Sequence, residues 1–564
     1  MLTNQILFFL FVHISLLIPG YVFITKLRFF NNHRGIELGV GYLCSIAFFA
    51  LSAALTYVLD LNWIMPQGLF WTVFIGSIVL LVYQKLYKRL FRQWFPLLAL
   101  LLMSGFSLAF INLSFNGNQS ITPDPERRTD RNYDTLTVKV LNVSQNRAID
   151  NYLPYRHAQF FANKSDPGKD AFVDDWGVHF FQRTPLMGAV TANYFVALND
   201  TPPTKYTWSN DSSDPHRTYL KFQIIAIILN SLLVIPAFYL IKHFFRLKTA
   251  LMAVLFIIPS SFFLYNSIYS WPKSLVAFFV LLSWLFILKK QFRYLILAGV
   301  ASGMAFLAHD LALLYIGTSV ILLLHQKRIR DSLIFGTITT IFILPWVLIS
   351  AVLYKKPSSF ILYPISVYDI PQAHEKQKII QDFFNTSPLR LIQIRLESLY
   401  YLLSPYQLFH SEGTSAGRRL WGFGLYPLLG SLGMGLVIPT ILGAVRKIKN
   451  IPFWILVLMP IVFSALVMGW PKGLGSLHFA EASVALLMGL GCYWLVNTRR
   501  VIWSILAYTL STLYLLFFIS YSYYNQIGEW FHRPGDIFCL GIISSIIIFC
   551  GIGVYFVRTE RKIS

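Results

Sequence analysis

Residues 294–324 read YLILAGVASGMAFLAHDLALLYIGTSVILLL, and the number of times this stretch crosses a bilayer decides how the whole chain is threaded. It is 31 residues long, with the ionisable pair His309-Asp310 at its middle. One upright helix needs only about 20 apolar residues to span the hydrocarbon core. A charge held at the bilayer centre costs on the order of 2.5–3.5 kcal/mol on insertion scales. Two short crossings that meet at His309-Asp310 satisfy both length and charge, so the stretch is expected to cross twice.

Apolar runs flank it on both sides, near 4–24, 37–58, 67–84, 95–113, 219–241, 249–268, 272–288, 332–353, 423–443, 452–469, 477–496, 501–522 and 537–556. With the two crossings they make fifteen spans. The distribution of basic residues tests this threading. If the amino terminus lies outside, the connections expected to be cytoplasmic hold Lys26/Arg28/Arg34, Lys85/Lys88/Arg89/Arg92, Lys242/Arg246/Lys248, Lys289/Lys290/Arg293, Lys327/Arg328/Arg330, Arg446/Lys447/Lys449, Arg499/Arg500 and Arg558/Arg561/Lys562, or 24 in all. The short outer connections hold only Lys273, Lys472 and Arg533. The alternation survives along the chain only if 294–324 crosses twice. The expected fold is therefore an all-α polytopic membrane protein of about fifteen transmembrane helices, amino terminus outside and carboxyl terminus cytoplasmic, with a large mixed α/β periplasmic loop.

Composition agrees. The 564 residues are 56% hydrophobic and 13% charged, more apolar surface than soluble domains can hide. The net charge of +22 would suggest a nucleic-acid partner in a soluble protein, but here it sits in short clusters between spans, so no nucleic acid is expected. Cys44, Cys492, Cys539 and Cys550 lie within apolar runs and have no metal-ligand spacing. No Walker, Rossmann, haem or iron–sulfur pattern occurs, which argues against nucleotide-driven transport within this chain.

Two segments, 114–218 and 354–422, are too long to be connectors, and both fall on the outer face, where function is expected. They suggest four parts: an amino-terminal three-helix extension (1–94), a catalytic membrane core with the first loop (95–353), a second loop (354–422) and carboxyl-terminal helices (423–564). In the first loop Leu136, Val138 and Val140 alternate with Thr137 and Lys139 as a short strand, and Ala148 to Asn163 reads as a helix interrupted by Pro154. The loop should fold over the membrane mouth. In the second, His374 to Leu403 mixes Ile379, Ile380, Phe383, Phe384, Leu391, Ile394 and Leu399 with Lys376, Lys378, Arg390 and Arg395, as expected of a helix lying along the membrane surface.

The first loop also gathers chemistry. Asp150, Tyr155 and Arg156 are followed by Asp174, Asp175 and His179, then by Arg183-Thr184-Pro185-Leu186. A sugar site wants such a mixture: a carboxylate to accept a hydroxyl proton, cations for a phosphate leaving group and aromatic faces for sugar rings. A helix N-cap acid is the structural alternative for Asp150. Asp175 and His179, four apart, could share a divalent ion, but two ligands make a poor site and no cofactor is expected.

The order of these pieces resembles the GT-C superfamily of polytopic glycosyltransferases, especially its protein-mannosyltransferase and aminoarabinose-transferase (family 39-like) branch. There, an acid ahead of a Tyr/Ala pattern opens the first large outer loop, and a Pro-Pro-Leu element follows some thirty residues on. Asp150 with Tyr152, Tyr155 and Ala158 is similar to the first element, and Arg183 to Leu186 to the second. Gly303 to His309 is similar to a Gly-x-Ala-x-x-x-Lys segment, with His309 at the lysine position. The similarity spans about residues 95–350. Here Asp150-Asn151 stands for the usual Asp-Glu pair, and the loop follows span 4, which runs outward as the family's first span does.

The resemblance implies an inverting transfer of a sugar from a polyprenyl-phosphate donor to a cell-envelope glycan, lipid or protein on the outer face of a bacterial inner membrane. Asp150 would be the base, with Asp174 and Asp175 as second candidates. Arg156, Arg183, Lys273 and Lys472 are candidates for stabilising the lipid phosphate as it leaves. Lys273 and Lys472 each lie in a Trp-Pro-Lys turn expected at an outer helix end, where interfacial anchoring is the structural alternative. His309 and Asp310 are further substrate-binding candidates, and could equally be a mutually satisfied pair at a helix break. His478, ahead of Glu481, lies where the family often carries lipid-phosphate ligands, with a structural contact as the alternative. An O-antigen ligase or polymerase type of enzyme is the rival within catalysis. A lipid-linked glycan transporter is the rival outside it, and would need ionisable residues at mid-span.

Overall fold

A computed structural model of the chain describes residues 2–27, 36–113, 119–121, 136–138, 149–165, 184–200, 215–268, 271–353, 365, 367, 376–403, 428–447, 449–467, 480–498 and 501–527. The protein is an all-α polytopic membrane protein. Among the described residues, five helices are long and apolar enough to cross a membrane: Asn4–Lys26, Glu37–Val58, Ile64–Tyr83, Thr218–Phe244 and Ile329–Val352. A sixth possible span is a helix pair bent by 61°.

In chain order the membrane helices before the first loop are α1 (Leu2–Lys26), α2 (Glu37–Val58), α3 (Ile64–Tyr83), the short α4 (Tyr87–Phe91) and α5 (Trp94–Leu113). The first loop contributes β1 (Gln119–Ile121) and β2 (Leu136–Val138), paired antiparallel with Ser120 opposite Thr137, and two helices, α6 (Ile149–Asn163) and α7 (Leu186–Ala197). The strand expected from Leu136 is therefore present. The helix expected from Ala148 is not interrupted: α6 runs through Pro154. Proline there removes only the amide that would have bonded the carbonyl of Asp150, near a helix end whose groups are incompletely bonded in any case.

The next helices are α8 (Pro215–Ser231) and α9 (Val234–Phe244), α10 (Leu247–Ile257) and α11 (Ser261–Ile268), α12 (Lys273–Ile287), α13 (Phe292–Ala308), α14 (Ala312–His325) and α15 (Ile329–Val347), the last continued by a π-helical turn at Leu348–Leu353. The 294–324 stretch divides where its charge sits. Helix α13 ends at Ala308, His309 is extended (φ −161°, ψ 136°), and α14 starts at Ala312.

Side-chain register fixes the direction of these helices. The hydroxyl of Ser283 on α12 donates to the carbonyl of Ala298 at 3.0 Å and lies 2.9 Å from that of Ser302, while Phe286 stacks on Tyr294, so α12 and α13 are antiparallel. Against α15, Gly299 faces Phe335 and Ile338, and Gly303 faces Thr339 and Phe342, so α13 and α15 are parallel. A Cβ on Gly299 would lie 2.8 Å from the side chain of Ile338, and the hydroxyl of Thr339 reaches the Gly299 carbonyl at 3.3 Å. Two parallel neighbours separated by one connecting helix require that helix to run back between them, so α14 returns through the layer that α13 climbed.

Among the described residues the second loop holds two helices where one was expected: α16 (Lys376–Asn385) and α17 (Pro388–Leu403). Leu389, Ile392, Leu396 and Tyr400 form an exposed apolar stripe on α17. The run at 423–443 is also divided, into α18 (Leu428–Ser431) and α19 (Val437–Lys447), with Gly433 at φ +66° in the intervening turn. Then come α20 (Ile451–Val467), α21 (Glu481–Thr498) and α22 (Val501–Ile527). The final apolar run, 537–556, lies outside the described residues.

Candidate functional site

Helix α6 carries Asp150 on its first turn and is fastened at four points. The ring of Tyr155, 2% exposed, packs among Phe195, Tyr219 and Phe222, and its hydroxyl shares a 2.7 Å hydrogen bond with that of Thr218 at the start of α8. His157 is buried against Gly188 of α7, a position that has no room for a Cβ. Farther along, Phe160 and Phe161 pack on Tyr57 near the end of α2, and Tyr57 donates its hydroxyl to the carbonyl of Ser165 at 3.1 Å. Lys164 closes the end of the helix on Asp60 at 2.7 Å.

Helix α7 is itself apolar and almost wholly buried, with Tyr194 bonded to Ser15 at 2.7 Å and packed on Phe11, Phe49 and Phe70. Trp71 of α3 donates to the carbonyl of Ala197 at 3.0 Å. Part of the first loop is thus wedged between α1, α2 and α3, and Lys221 on Asp200 ties its far end to α8.

This placement changes the role of one candidate. Tyr155, expected to touch substrate, is an anchor: both its faces and its hydroxyl are occupied by protein. Arg156 is partly buried beside it. Asp150 lies five residues before Tyr155, about 7.5 Å along the helix axis. Asp174, Asp175, His179, Arg183, Lys472 and His478 lie outside the described residues.

A second group of candidates sits deeper. Asn230 is the thirteenth residue of the 27-residue segment Thr218–Phe244, so about 18–21 Å of helix separates it from either end. Its side-chain amide donates to the carbonyl of Trp271 at 2.9 Å, and its amide oxygen accepts from the backbone N–H of Leu275 at 3.2 Å. The turn Trp271-Pro272-Lys273-Ser274 is therefore at the midpoint of that span, not at its outer end as the sequence suggested. Lys273 is a helix-starting residue but 4% exposed, and its ammonium lies 3.4 Å above the Trp271 ring. A snorkelling lysine would have reached the interface.

Ser274 donates to Glu481 Oε2 at 2.5 Å, which brings the first residue of α21, 1% exposed, to the same level. Lys273 is near enough for its charge to act on that carboxylate, and the phenol of Tyr315 on α14 faces the backbone of Glu481 and Ala482. Continuing the Ser283–Ala298 and Trp284–Ser319 registers upward places the end of α13 and the start of α14 at this height too. There His309 Nδ1 and Asp310 Oδ1 are 2.7 Å apart, with the Asp310 side chain buried. Glu481 was passed over in the sequence as part of a structural contact. Its signal was an acid opening an apolar run, the same kind that drew attention to Asp310.

Among the described residues, no three His, Cys, Asp or Glu side chains are grouped so as to hold a metal ion. The arrangement offers an acid-bearing helix fixed against the spans and, below it, a buried junction of one lysine, one glutamate and several hydroxyls.

No protein-family model matches the chain, and no curated protein matches it in sequence. Among solved structures it is similar to ArnT from Cupriavidus metallidurans in the apo state, with a TM-score of 0.41 and 11% identity over 81% of this chain and 76% of that one. The same enzyme bound to undecaprenyl phosphate gives a TM-score of 0.40 and 10% identity over the same shares. The Archaeoglobus fulgidus oligosaccharyltransferase in the apo form gives 0.41 and 13%, over 81% of this chain and 56% of that one. The likeness is distant and extends to neither activity nor site residues.

Proposed function

We propose that the chain is a membrane glycosyltransferase that moves a sugar from a polyprenyl-phosphate carrier to a cell-envelope glycan, lipid or protein, on the outer face of a bacterial inner membrane. The observation that carries this reading is the fastening of α6: the candidate base rides on a helix held against the start of α8 and the end of α2, not on a free loop. Positioned acids are what general-base chemistry needs. The order of sequence elements that resembles the GT-C superfamily supports the same reading.

In the reaction, the carboxylate of Asp150 accepts the proton of an acceptor hydroxyl as its oxygen attacks the anomeric carbon. The bond from that carbon to the phosphate oxygen breaks, and polyprenyl phosphate departs with the electron pair. Attack opposite the leaving group inverts the anomeric centre. An ordinary carboxylate is ionised at neutral pH and needs no special tuning for this role. Arg156, on the same helix, supplies positive charge for the departing phosphate, joined in this proposal by Arg183, Lys472 and His478.

The test is transfer of label from radiolabelled polyprenyl-phosphate sugars to a membrane-glycan extract by purified protein. Asp150→Asn should insert normally and lose transfer. Full transfer by that variant would remove Asp150 as the base, and label released only to water would remove the transferase reading.

A further inference from the structure

The span ends expected to face the cytoplasm carry charge that the chain does not balance. Their connections hold 24 basic residues and, besides Glu37 at the start of α2, only Asp331 and Glu560 as acids. Glu37 and Asp331 are each taken by an arginine. Arg89 grips both oxygens of Glu37, and Arg328 meets Asp331 at 2.7 Å while its Nη1 donates to the carbonyl of Ile287 at 2.9 Å. Glu560 lies outside the described residues.

The surplus converges on the corner where α9 passes into α10, Lys242 to Lys248. The end of α12 brings Lys289 to this corner, close enough to Lys242 and His243 for the charges to act on one another. Burial, and then the charge of Lys242, lower the pKa of the Lys289 amine. Lys290 follows at φ +57°, where glycine is the least strained residue, so a cation is kept there against the backbone's preference. On the other side of the corner Lys447 of α19 lies over the rings of Phe245 and Tyr493, 5.6 Å and 4.9 Å from their centres. Those two rings are themselves 5.0 Å apart. Among the described residues, none of Lys242, Lys289, Lys290 and Lys447 forms an ion pair. Threading asks for basic residues in each connection, but it does not ask those of separate connections to crowd together.

We propose that this corner is a docking surface for an anionic phospholipid, with its phosphate against Lys242 and Lys289 and its acyl chains along the apolar residues that follow. The surface is open: Lys242, His243, Arg246 and Lys290 are all exposed, so a headgroup needs no cavity. Leu247 and Phe292, the first residues of α10 and α13, are 47% and 62% exposed, one next to Arg246 and the other two residues after Lys290. Cations and apolar side chains thus adjoin as phosphate and acyl chain do in a lipid. A free phosphate gains nothing from Leu247 or Phe292, and neither does a nucleic acid. Basic pockets between membrane helices on the cytoplasmic side bind such headgroups. A phosphate here offsets the repulsion among the cations and ties α9, α10 and α12 to one leaflet. Lys242 lies 24 residues beyond Thr218 in the segment Thr218–Phe244, about 36 Å of helix from the place where α6 is fastened, so the surface is separate from the proposed transfer site.

The experiment uses full-length protein in dodecyl maltoside, mixed with phosphatidylglycerol, phosphatidylcholine or inorganic phosphate at equal ionic strength. A short pulse of acetic anhydride modifies unprotonated amines, and mass spectrometry reads each lysine. Phosphatidylglycerol should slow acetylation of Lys242 and Lys289 by about tenfold, while phosphatidylcholine and inorganic phosphate change it by less than about twofold. Lys85 and Lys88 serve as controls, since they stand over α1, where Leu86, Tyr87 and Leu90 pack on Tyr21 and Val22. Their acetylation should change by less than about twofold with any of the three. Displacement of phosphatidylglycerol labelled on its acyl chain gives the affinity. Lys242→Gln with Lys289→Gln should weaken it by about tenfold, and Lys85→Gln with Lys88→Gln by less than about twofold.

The proposal is overturned if phosphatidylcholine protects as well as phosphatidylglycerol, if inorganic phosphate does so, or if Lys85 and Lys88 are protected equally, which would mean diffuse attraction to charge. Unchanged affinity in the Lys242→Gln, Lys289→Gln protein overturns it as well. Protection is read on the unsubstituted protein, so the outcome does not depend on that variant folding. Asp150→Asn should keep full protection, so loss of the transfer reading and loss of this surface are separately visible.

Discussion

The fastening of α6 makes a quantitative prediction through one hydrogen bond. Tyr155→Phe removes only the hydroxyl that meets Thr218 at 2.7 Å and keeps the ring between Phe195, Tyr219 and Phe222. Both partners are buried, at 2% and 4% exposure, so the loss includes the cost of leaving the Thr218 hydroxyl without Tyr155 as well as the bond itself. Together these come to about 1–2 kcal/mol, or a factor of about 5–30 in the population of undocked α6. Phe160, Phe161 and Lys164 still hold the other end, so the change should appear as local opening. Hydrogen exchange of the amides of residues 149–163 should accelerate by that factor while α12 and α13 are unaffected. Thr218→Val should do the same for the opposite reason, and the double variant, with no polar group left over, should recover most of the protection. Transfer should follow docking, falling in each single variant and rising again in the double. Unchanged exchange in both single variants, or purely additive losses in the double, would refute the claim that this bond fastens α6.

Other outcomes follow from the same geometry. Glu481→Leu removes the carboxylate that accepts from buried Ser274 and should cost about 1–3 kcal/mol, read as a fall in the thermal unfolding midpoint in detergent; Ser274→Ala combined with it should restore part of the loss. Gly303→Leu would drive a side chain into Phe342 and should part α13 from α15, lowering the yield of folded protein, whereas Gly336→Ala, in open space, should not. Cysteines placed at Ser213 and Ser358 should be labelled from outside intact cells, and one at Asn497 only after permeabilisation, which checks the threading.

The sequence made some of this legible because two independent physical constraints met at the same residues. At 294–324, length and charge each demanded a break, and the helices part at that pair. The start of α6 was readable from pattern. Its continuity through Pro154 was not, because the cost of a proline depends on how near it lies to a helix end, and Asp150, the acid that could have capped that end, lies inside α6. The separation of α18 from α19 was missed for a related reason. Hydropathy sums over a window and is blind to backbone at positive φ, which Gly433 and Met434 both adopt in the turn.

The depth of Lys273 was hidden for a deeper reason. Counting apolar residues assumes that every helix runs from one surface to the other, so a lysine at a helix end is assigned to an interface. Helices α12, α13 and α14 contain 15, 17 and 14 residues, or about 21–26 Å, against a hydrocarbon core of about 30 Å. If their basic ends lie at one surface, their other ends stop inside the bilayer. A helix that stops there strands up to four amides or carbonyls, which in hydrocarbon must find partners. Asn230, Ser274, Glu481 and Tyr315 are grouped where those ends collect. Short apolar helices and buried polar residues are therefore two expressions of one constraint, and in a membrane chain the first should prompt a search for the second.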